Sequence, residues 1–370
     1  MSLLDPFFTP FECKTLKLGN RFLMAPMSRY FAPGGVLTQE SADYYRRRIE
    51  GGVGGVITEA VAIDRPGSVA ADTVPSFYGE EALAAWDRAR IDVQGAGGAI
   101  IPQLWHVGGC TDFNFPDSPH PPLESPSGLV GPGIEGGRVM TVQDVDEVIA
   151  SFVRGALDAQ RLGFDAIELH GAHGYLFDQF FWDVTNKRED SYGGSDIASR
   201  VRFAAETVAA IRAAAGPDFT IIFRVSQWKT YMYEAKIATT PAELEQWLAP
   251  LADAGVDIFH CSERRFWEAA FPDEDDRNLA GWTKRIIGKP TITVGSVGLD
   301  RDLMQDFVEG QSVPTLKSLD ELARRFDRGD FDLVALGRVL LADPNWLTKV
   351  RSGATDQLKP YSRECMDTLY

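Results

Sequence analysis

The sequence predicts a single (β/α)8 barrel over residues 1–370, on three observations. Eight short apolar, β-branched runs recur at 34 to 66 residues from start to start, the interval of a strand and its crossover helix. Amphipathic helical patterns lie between them. No linker divides the chain, so a length that would suit two or more domains of about 150 residues each reads instead as one barrel with long loops.

The runs are Arg21–Ala25 (RFLMA), Gly55–Glu59 (GVITE), Ala99–Gln103 (AIIPQ) and Asp165–Leu169 (DAIEL). They continue as Thr220–Arg224 (TIIFR), Val256–His260 (VDIFH), Pro290–Val294 (PTITV) and Asp332–Leu336 (DLVAL). In the helical stretch Thr141–Leu162, residues Val145, Val148, Ile149, Phe152 and Ala156 form one apolar stripe. Thr141 with Asp144 predicts its N-cap. Glycine ends the helices before LGFDAI, AGVDIF and RGDFDLV. The Pro- and Gly-rich stretch Phe115–Gly137 reads as a βα loop over the barrel mouth, and Glu263–Asn278 as a second lid.

Lys+Arg 37 against Asp+Glu 53 gives a net charge of −16, which disfavours nucleic acid or an anionic membrane as partner. No apolar run approaches the roughly 18 residues of a membrane helix, and the N-terminus lacks a signal-peptide pattern. Cys13, Cys110, Cys261 and Cys365 stand too far apart for a disulfide framework or a metal cluster. A soluble, cytoplasmic enzyme is the expectation; a homo-oligomer stays open.

Barrel active sites are built at the C-terminal ends of the strands. Those positions hold Pro26, Met27 and Ser28, then Ala60, then Gln103 with Trp105 and His106. His170, His173 and Tyr175 follow strand four, Arg224 ends strand five, and Cys261 and Ser262 follow strand six. Gly295 and Ser296 follow strand seven, and Gly337 and Arg338 follow strand eight. Glycine turns after strands seven and eight commonly hold a phosphate, with Arg338 as a clamp; pairing of Arg338 to a carboxylate is the plainer alternative. Two imidazoles aimed into a mouth can polarise a carbonyl oxygen, and a neighbouring tyrosine can donate a proton. They can equally be structural histidines, or join His106 and His260 on a metal, but strands one and eight end without a ligand. Arg224 on an apolar strand needs an anion, either a ligand or a buried carboxylate. Strands ending without lysine disfavour a Schiff base, and the glycine clusters Gly51–Gly55 and Gly95–Gly98 fail the G-x-G-x-x-G fingerprint at its third glycine, so no Rossmann module is expected.

The run His170-Gly-Ala-His173-Gly-Tyr175-Leu-Phe-Asp-Gln179-Phe, continuing through Thr185-Asn186-Lys-Arg188 to Tyr192-Gly-Gly-Ser195, resembles the Old Yellow Enzyme family of flavin-dependent ene-reductases. Asn20–Arg29, Gln103–His106, Val294–Val297 and Ala335–Arg338 resemble it too, in the same order from strand one to strand eight. No Cys-rich segment follows, so the resemblance is to the single-domain, FMN-only branch.

The resemblance implies tightly bound FMN, with NAD(P)H as transient electron donor and an activated alkene as substrate. Pro26, Met27, Ser28 and Ala60 would line the flavin ring, and Gln103 and Arg224 would bond its pyrimidine edge. Gly295, Ser296, Gly337 and Arg338 would hold the phosphate. His170 and His173 would bind the substrate's carbonyl or nitro oxygen, and Tyr175 would protonate Cα. Tyr30, Trp105, Phe266 and Trp267 would wall the substrate pocket. Ser28, Gly109-Cys110 and Phe181-Trp182-Asp183 depart from the better-known members. A barrel enzyme without flavin, acting on a phosphorylated metabolite, is the alternative activity; an inert ligand-binding scaffold is the alternative without catalysis.

Overall fold

The computed structural model describes residues 4–69, 71–110, 122–230, 232–303, 305–306 and 311–370. Eight parallel strands close into a barrel. They are β1 (Phe22–Met24), β2 (Gly55–Ala62), β3 (Ala99–Trp105), β4 (Ala166–His173), β5 (Thr220–Lys229), β6 (Ile258–Ser262), β7 (Thr291–Val294) and β8 (Leu333–Leu336), and β8 pairs back onto β1. The outer layer includes α1 (Gln39–Glu50), α2 (Glu80–Gly95), α3 (Val142–Leu162), α4 (Leu176–Phe181), α5 (Ile197–Arg200), α6 (Arg202–Ala215), α7 (Pro241–Ala254) and α8 (Leu279–Ile287). It continues with α9 (Lys317–Asp327), α10 (Arg338–Ala342) and α11 (Trp346–Ser352).

The predicted stripe of α3 is what packs: Val145, Val148, Phe152 and Ala156 are buried and Ile149 lies at the edge of the same core. Thr141 and Asp144 form the reciprocal cap, and Gly163 ends the helix with φ 89°. Inside the barrel, Leu23, Ile57, Ile101, Ile222, Ile258, Ile292 and Leu333 make a separate core. Phe11, Leu16 and Leu18 of an antiparallel N-terminal hairpin, Phe11–Cys13 with Leu16–Leu18, complete it. Leu16 N donates to Oγ1 of Thr220, the first residue of β5, so the hairpin plugs the end opposite the mouth.

Five strands, β2 to β6, end later than the apolar runs suggest. β4 continues through His170 to His173, and β5 through Arg224 to Lys229. Pairing carries them on: Ala166–Gly171 align with Thr220–Val225, and after a bulge His173 aligns with Lys229. Gly171 is required there, because a Cβ would lie 2.2 Å from the Phe223 ring. His170, His173 and Arg224 therefore stand on the rigid sheet, not on turns beyond it. Part of the Phe115–Gly137 loop, residues 115–121, lies outside the described residues. The rest carries short pairings, Glu124–Ser125 with Arg138–Val139 and Leu129–Gly131 with Ile134–Glu135. The Glu263–Asn278 segment is tied down rather than open: Asn278 caps α8 and donates to Phe266 O and to Thr293 Oγ1.

Candidate active site

Strand register brings the polar residues of the mouth together. His170 aligns with Arg224, Arg224 with His260, and Glu168 with Gln103. One layer down, Gln103 Nε2 donates to Glu168 Oε1 at 2.7 Å, and His260 Nδ1 lies 2.6 Å from Glu168 Oε2. This pins the Gln103 amide and leaves its carbonyl oxygen as an acceptor.

Above that layer the His170 and His173 rings stand perpendicular, 5.0 Å between centroids. The Tyr175 ring is 5.0 Å from His170 and 5.2 Å from Trp105. Burial, and then the nearby Arg224 charge, holds both imidazoles well below their ordinary pKa, so both are neutral at pH 7. His173 adopts φ 66°, a left-handed conformation uncommon for a side chain of its size. Its neighbours impose it: the His173 N–H bonds Ser226 Oγ at 2.9 Å, and Thr230 Oγ1 donates to its carbonyl at 2.9 Å. The ring stacks on Trp228 at 4.3 Å, and its Nε2 lies 2.8 Å from Ser262 Oγ.

Arg224 is 6% exposed and forms no ion pair among the described residues. Nη2 donates to Ser262 Oγ at 3.3 Å, while Nε is buried without a partner. Burial pulls its pKa down to about 10, against the opposing pull of Glu168. A guanidinium left in this state calls for an external acceptor. Among the described residues no buried salt bridge takes up this arginine.

Around this centre, Pro26 is buried and Met27 and Ser28 half-buried at the end of β1. Their loop is held from below, where Arg29 N donates to Glu59 Oε2 at 2.9 Å. Ala60, Trp105, Tyr30 and Tyr175 share one apolar cluster beside the mouth. After β7, Gly295 has φ 155°, and a Cβ would lie 2.6 Å from Glu263 O, so only glycine fits. The turns after β7 and β8 meet through Arg338 Nη2, which donates to Ser296 Oγ at 2.9 Å. Arg338 also pairs with Asp306, so the plainer alternative for that side chain is present too. Gly337 faces Met27, whose Sδ would be 3.6 Å from an added Cβ.

Two of the expected pocket walls stand elsewhere. Phe266 is fully buried in the main core, its ring edge-on to Trp267, so it packs the loop. Trp267 faces a cavity of about 490 Å³ beside the β7 turn, with Leu299, Asp300, Thr315, Ser318 and Glu321. His106 turns from the mouth to Glu124, 3.1 Å away, within an ion cluster that includes Arg65. No three His, Cys, Asp or Glu side chains converge as a metal site among the described residues. Ser262, Trp228 and Glu168 carry parts of the site that the sequence reading gave no role. Ser262 at the end of β6 was the one with a positional signal.

The sequence matches the NADH:flavin oxidoreductase / NADH oxidase family over residues 6–357. The chain belongs to that family. It is 31% identical over 367 residues to an NADH oxidase of Thermoanaerobacter brockii, a match that covers 97% of this chain and 52% of that protein. It is 34% identical over 347 residues to 12-oxophytodienoate reductase 1 of Oryza sativa subsp. japonica, covering 92% and 84%. Thus the chain spans about half the length of the first curated relatives it matches, 52% in each case, and most of the rice protein. Among solved structures, morphinone reductase in complex with tetrahydroNAD superposes with a TM-score of 0.78 at 24% identity, covering 97% of this chain and 93% of that one.

Membership in the NADH:flavin oxidoreductase family, which is the Old Yellow Enzyme family, brings FMN as cofactor. The residues present fit that cofactor. Arg224 Nε, Trp105 Nε1 and His170 Nδ1 are buried donors or acceptors without partners around one mouth. No helix among the described residues is long and apolar enough to cross a membrane.

Proposed function

We propose that the chain is an FMN-dependent enzyme that passes hydride from NAD(P)H to the Cβ of an activated alkene: an α,β-unsaturated carbonyl, an imide or a nitroalkene. The observation that carries this reading is the buried Arg224, in no ion pair among the described residues, beside two neutral imidazoles on adjoining strands. Bound FMN supplies hydride acceptance from the nicotinamide and hydride donation from N5 to the alkene.

The chain's own residues do the rest. Gln103 and Arg224 hold the pyrimidine edge, the arginine supplying positive charge where electron density collects. Pro26, Met27, Ser28 and Ala60 form the ring's bed, and Gly295, Ser296, Gly337 and Arg338 its phosphate end. His170 and His173 bind the substrate oxygen; being neutral, they donate hydrogen bonds without a charge that would bind the ground state equally well. Tyr175, edge-on to His170, delivers the proton to Cα. Tyr30 and Trp105 form the apolar wall.

The visible spectrum of the purified protein tests this. A flavin band that bleaches anaerobically on adding NADPH or NADH, and returns on adding an enone, is the expected result. A colourless protein that takes up no added FMN overturns it. Tyr175→Phe should leave bleaching nearly intact and slow the return by about 100-fold or more; equal slowing of both phases removes the proton-donor role.

A further inference from the structure

Ser262 ends β6 and is 4% exposed, with its hydroxyl between the two functional halves of the mouth. Arg224 Nη2 donates to Ser262 Oγ at 3.3 Å, and His173 Nε2 lies 2.8 Å from the same oxygen. An arginine can only donate, so Oγ is an acceptor on that side. The hydroxyl has one proton of its own, and His173 Nε2 is the acceptor within reach of it. If His173 instead donated from Nε2, Oγ would receive two donors and its own buried proton would have no acceptor among these neighbours. The imidazole is neutral, so it carries one ring proton, and a bond received at Nε2 leaves that proton on Nδ1.

We infer that Ser262 is a positioning residue: its hydroxyl, oriented by Arg224, donates to His173 Nε2 and thereby fixes this histidine as the Nδ1–H tautomer, the form that offers Nδ1–H to the substrate's oxygen. The surroundings keep the ring where this matters. Trp228 stacks on one face, and the backbone of His173 is held on both sides by Ser226 and Thr230. Ser262 also joins the cation that meets the cofactor to the imidazole that meets the substrate, so neither side chain is set independently. The tautomer is a property of the chain alone. Only its use on a substrate oxygen rests on the ene-reductase reading.

The test is a long-range ¹H–¹⁵N correlation on protein labelled with ¹⁵N-histidine, without substrate, with His173 assigned through His173→Gln. The expected result in the unaltered chain is a pyrrole-type Nδ1 and a pyridine-type Nε2. Ser262→Ala should abolish that preference, giving a mixture or the Nε2–H form, and Ser262→Thr should restore it. A proton on Nε2 in the unaltered chain overturns the inference, whatever the variants do. So does a tautomer unchanged in a folded Ser262→Ala protein. Alkene reduction read in parallel separates the two proposals: an Nδ1–H His173 in a protein that reduces no alkene leaves Ser262's role standing and removes the proposed function.

Discussion

Glu59 lies beneath the loop that would bed the flavin ring. Its Oε2 accepts from the backbone N–H of Arg29 and of Tyr30, and the Tyr45 hydroxyl donates to Oε1. Burial outweighs those bonds and lifts its pKa from the ordinary 4.5 to about 7. Between those values the folded chain holds a proton that the unfolded chain releases, so Glu59 makes stability fall as pH rises, by on the order of 3 kcal/mol in all. Glu59→Gln stays neutral throughout and removes that slope. Urea unfolding at pH 5 and pH 8 should show the variant gaining on the parent at the higher pH; parallel profiles would remove the raised acid.

Lys229 and Asp178 form a buried pair at 2.7 Å, and Asp178 Oδ2 also accepts the Gly174 N–H in the turn that presents Tyr175. Lys229→Met leaves a buried carboxylate without its cation and should cost about 3–5 kcal/mol, whereas Lys229→Met with Asp178→Asn should recover most of it. Denaturant unfolding of both variants decides, and a Lys229→Met protein as stable as the parent shows that the pair does not hold the turn.

At the level of elements, the two ends of the barrel divide the work. The mouth carries the polar cluster. The other end is closed by the N-terminal hairpin, whose Leu16 is fully buried against the interior isoleucines. Leu16→Ala should therefore lower stability by about 2–5 kcal/mol while leaving flavin content and both half-reactions unchanged. A loss of flavin in a folded Leu16→Ala protein would show that the two ends are coupled. The hairpin was not legible in the sequence, because FECKTLKL is too short for its alternation to stand out, and its partners are distant strands. The strands themselves were legible as β-branched runs, and α3 as a stripe with its cap. Their ends were not. His170 and His173 read as following strand four, yet β4 runs on to His173 because Gly171 makes room for Phe223. The mouth residues were legible because the fold puts function at strand ends. Ser262's link between Arg224 and His173 was not, since it depends on side-chain distances across three strands.

Across the whole molecule, the barrel closes where its last strand meets its first, and the C-terminal segment is strapped over that seam. Tyr361–Ser362 pairs with Gln311–Ser312, and the Arg338 guanidinium lies over the Tyr361 ring. Arg29 Nη2, just past β1, donates to the carbonyls of Cys365, Met366 and Thr368. Arg48 on α1 donates to Leu340 O at 2.9 Å and to Tyr370 O, and Arg47 donates to Leu369 O. Arg29 and Arg48 are buried, so these carbonyls are acceptors that water cannot readily replace. The strap thus joins the phosphate end of the proposed site, at Arg338, to its ring end, at Arg29. Removing residues 363–370 should strand the buried Arg29 guanidinium, take one acceptor from Arg48, which keeps Leu340 O and Tyr44 O, and cost about 3–5 kcal/mol. Because the strands share one barrel, the loss should appear as one cooperative transition moved to lower urea, with tryptophan fluorescence and far-ultraviolet circular dichroism still coincident. Separated transitions would mean that the seam opens on its own while the remaining strands stay folded. In that case flavin should leave with the first transition, since both ends of its proposed site lie on the seam.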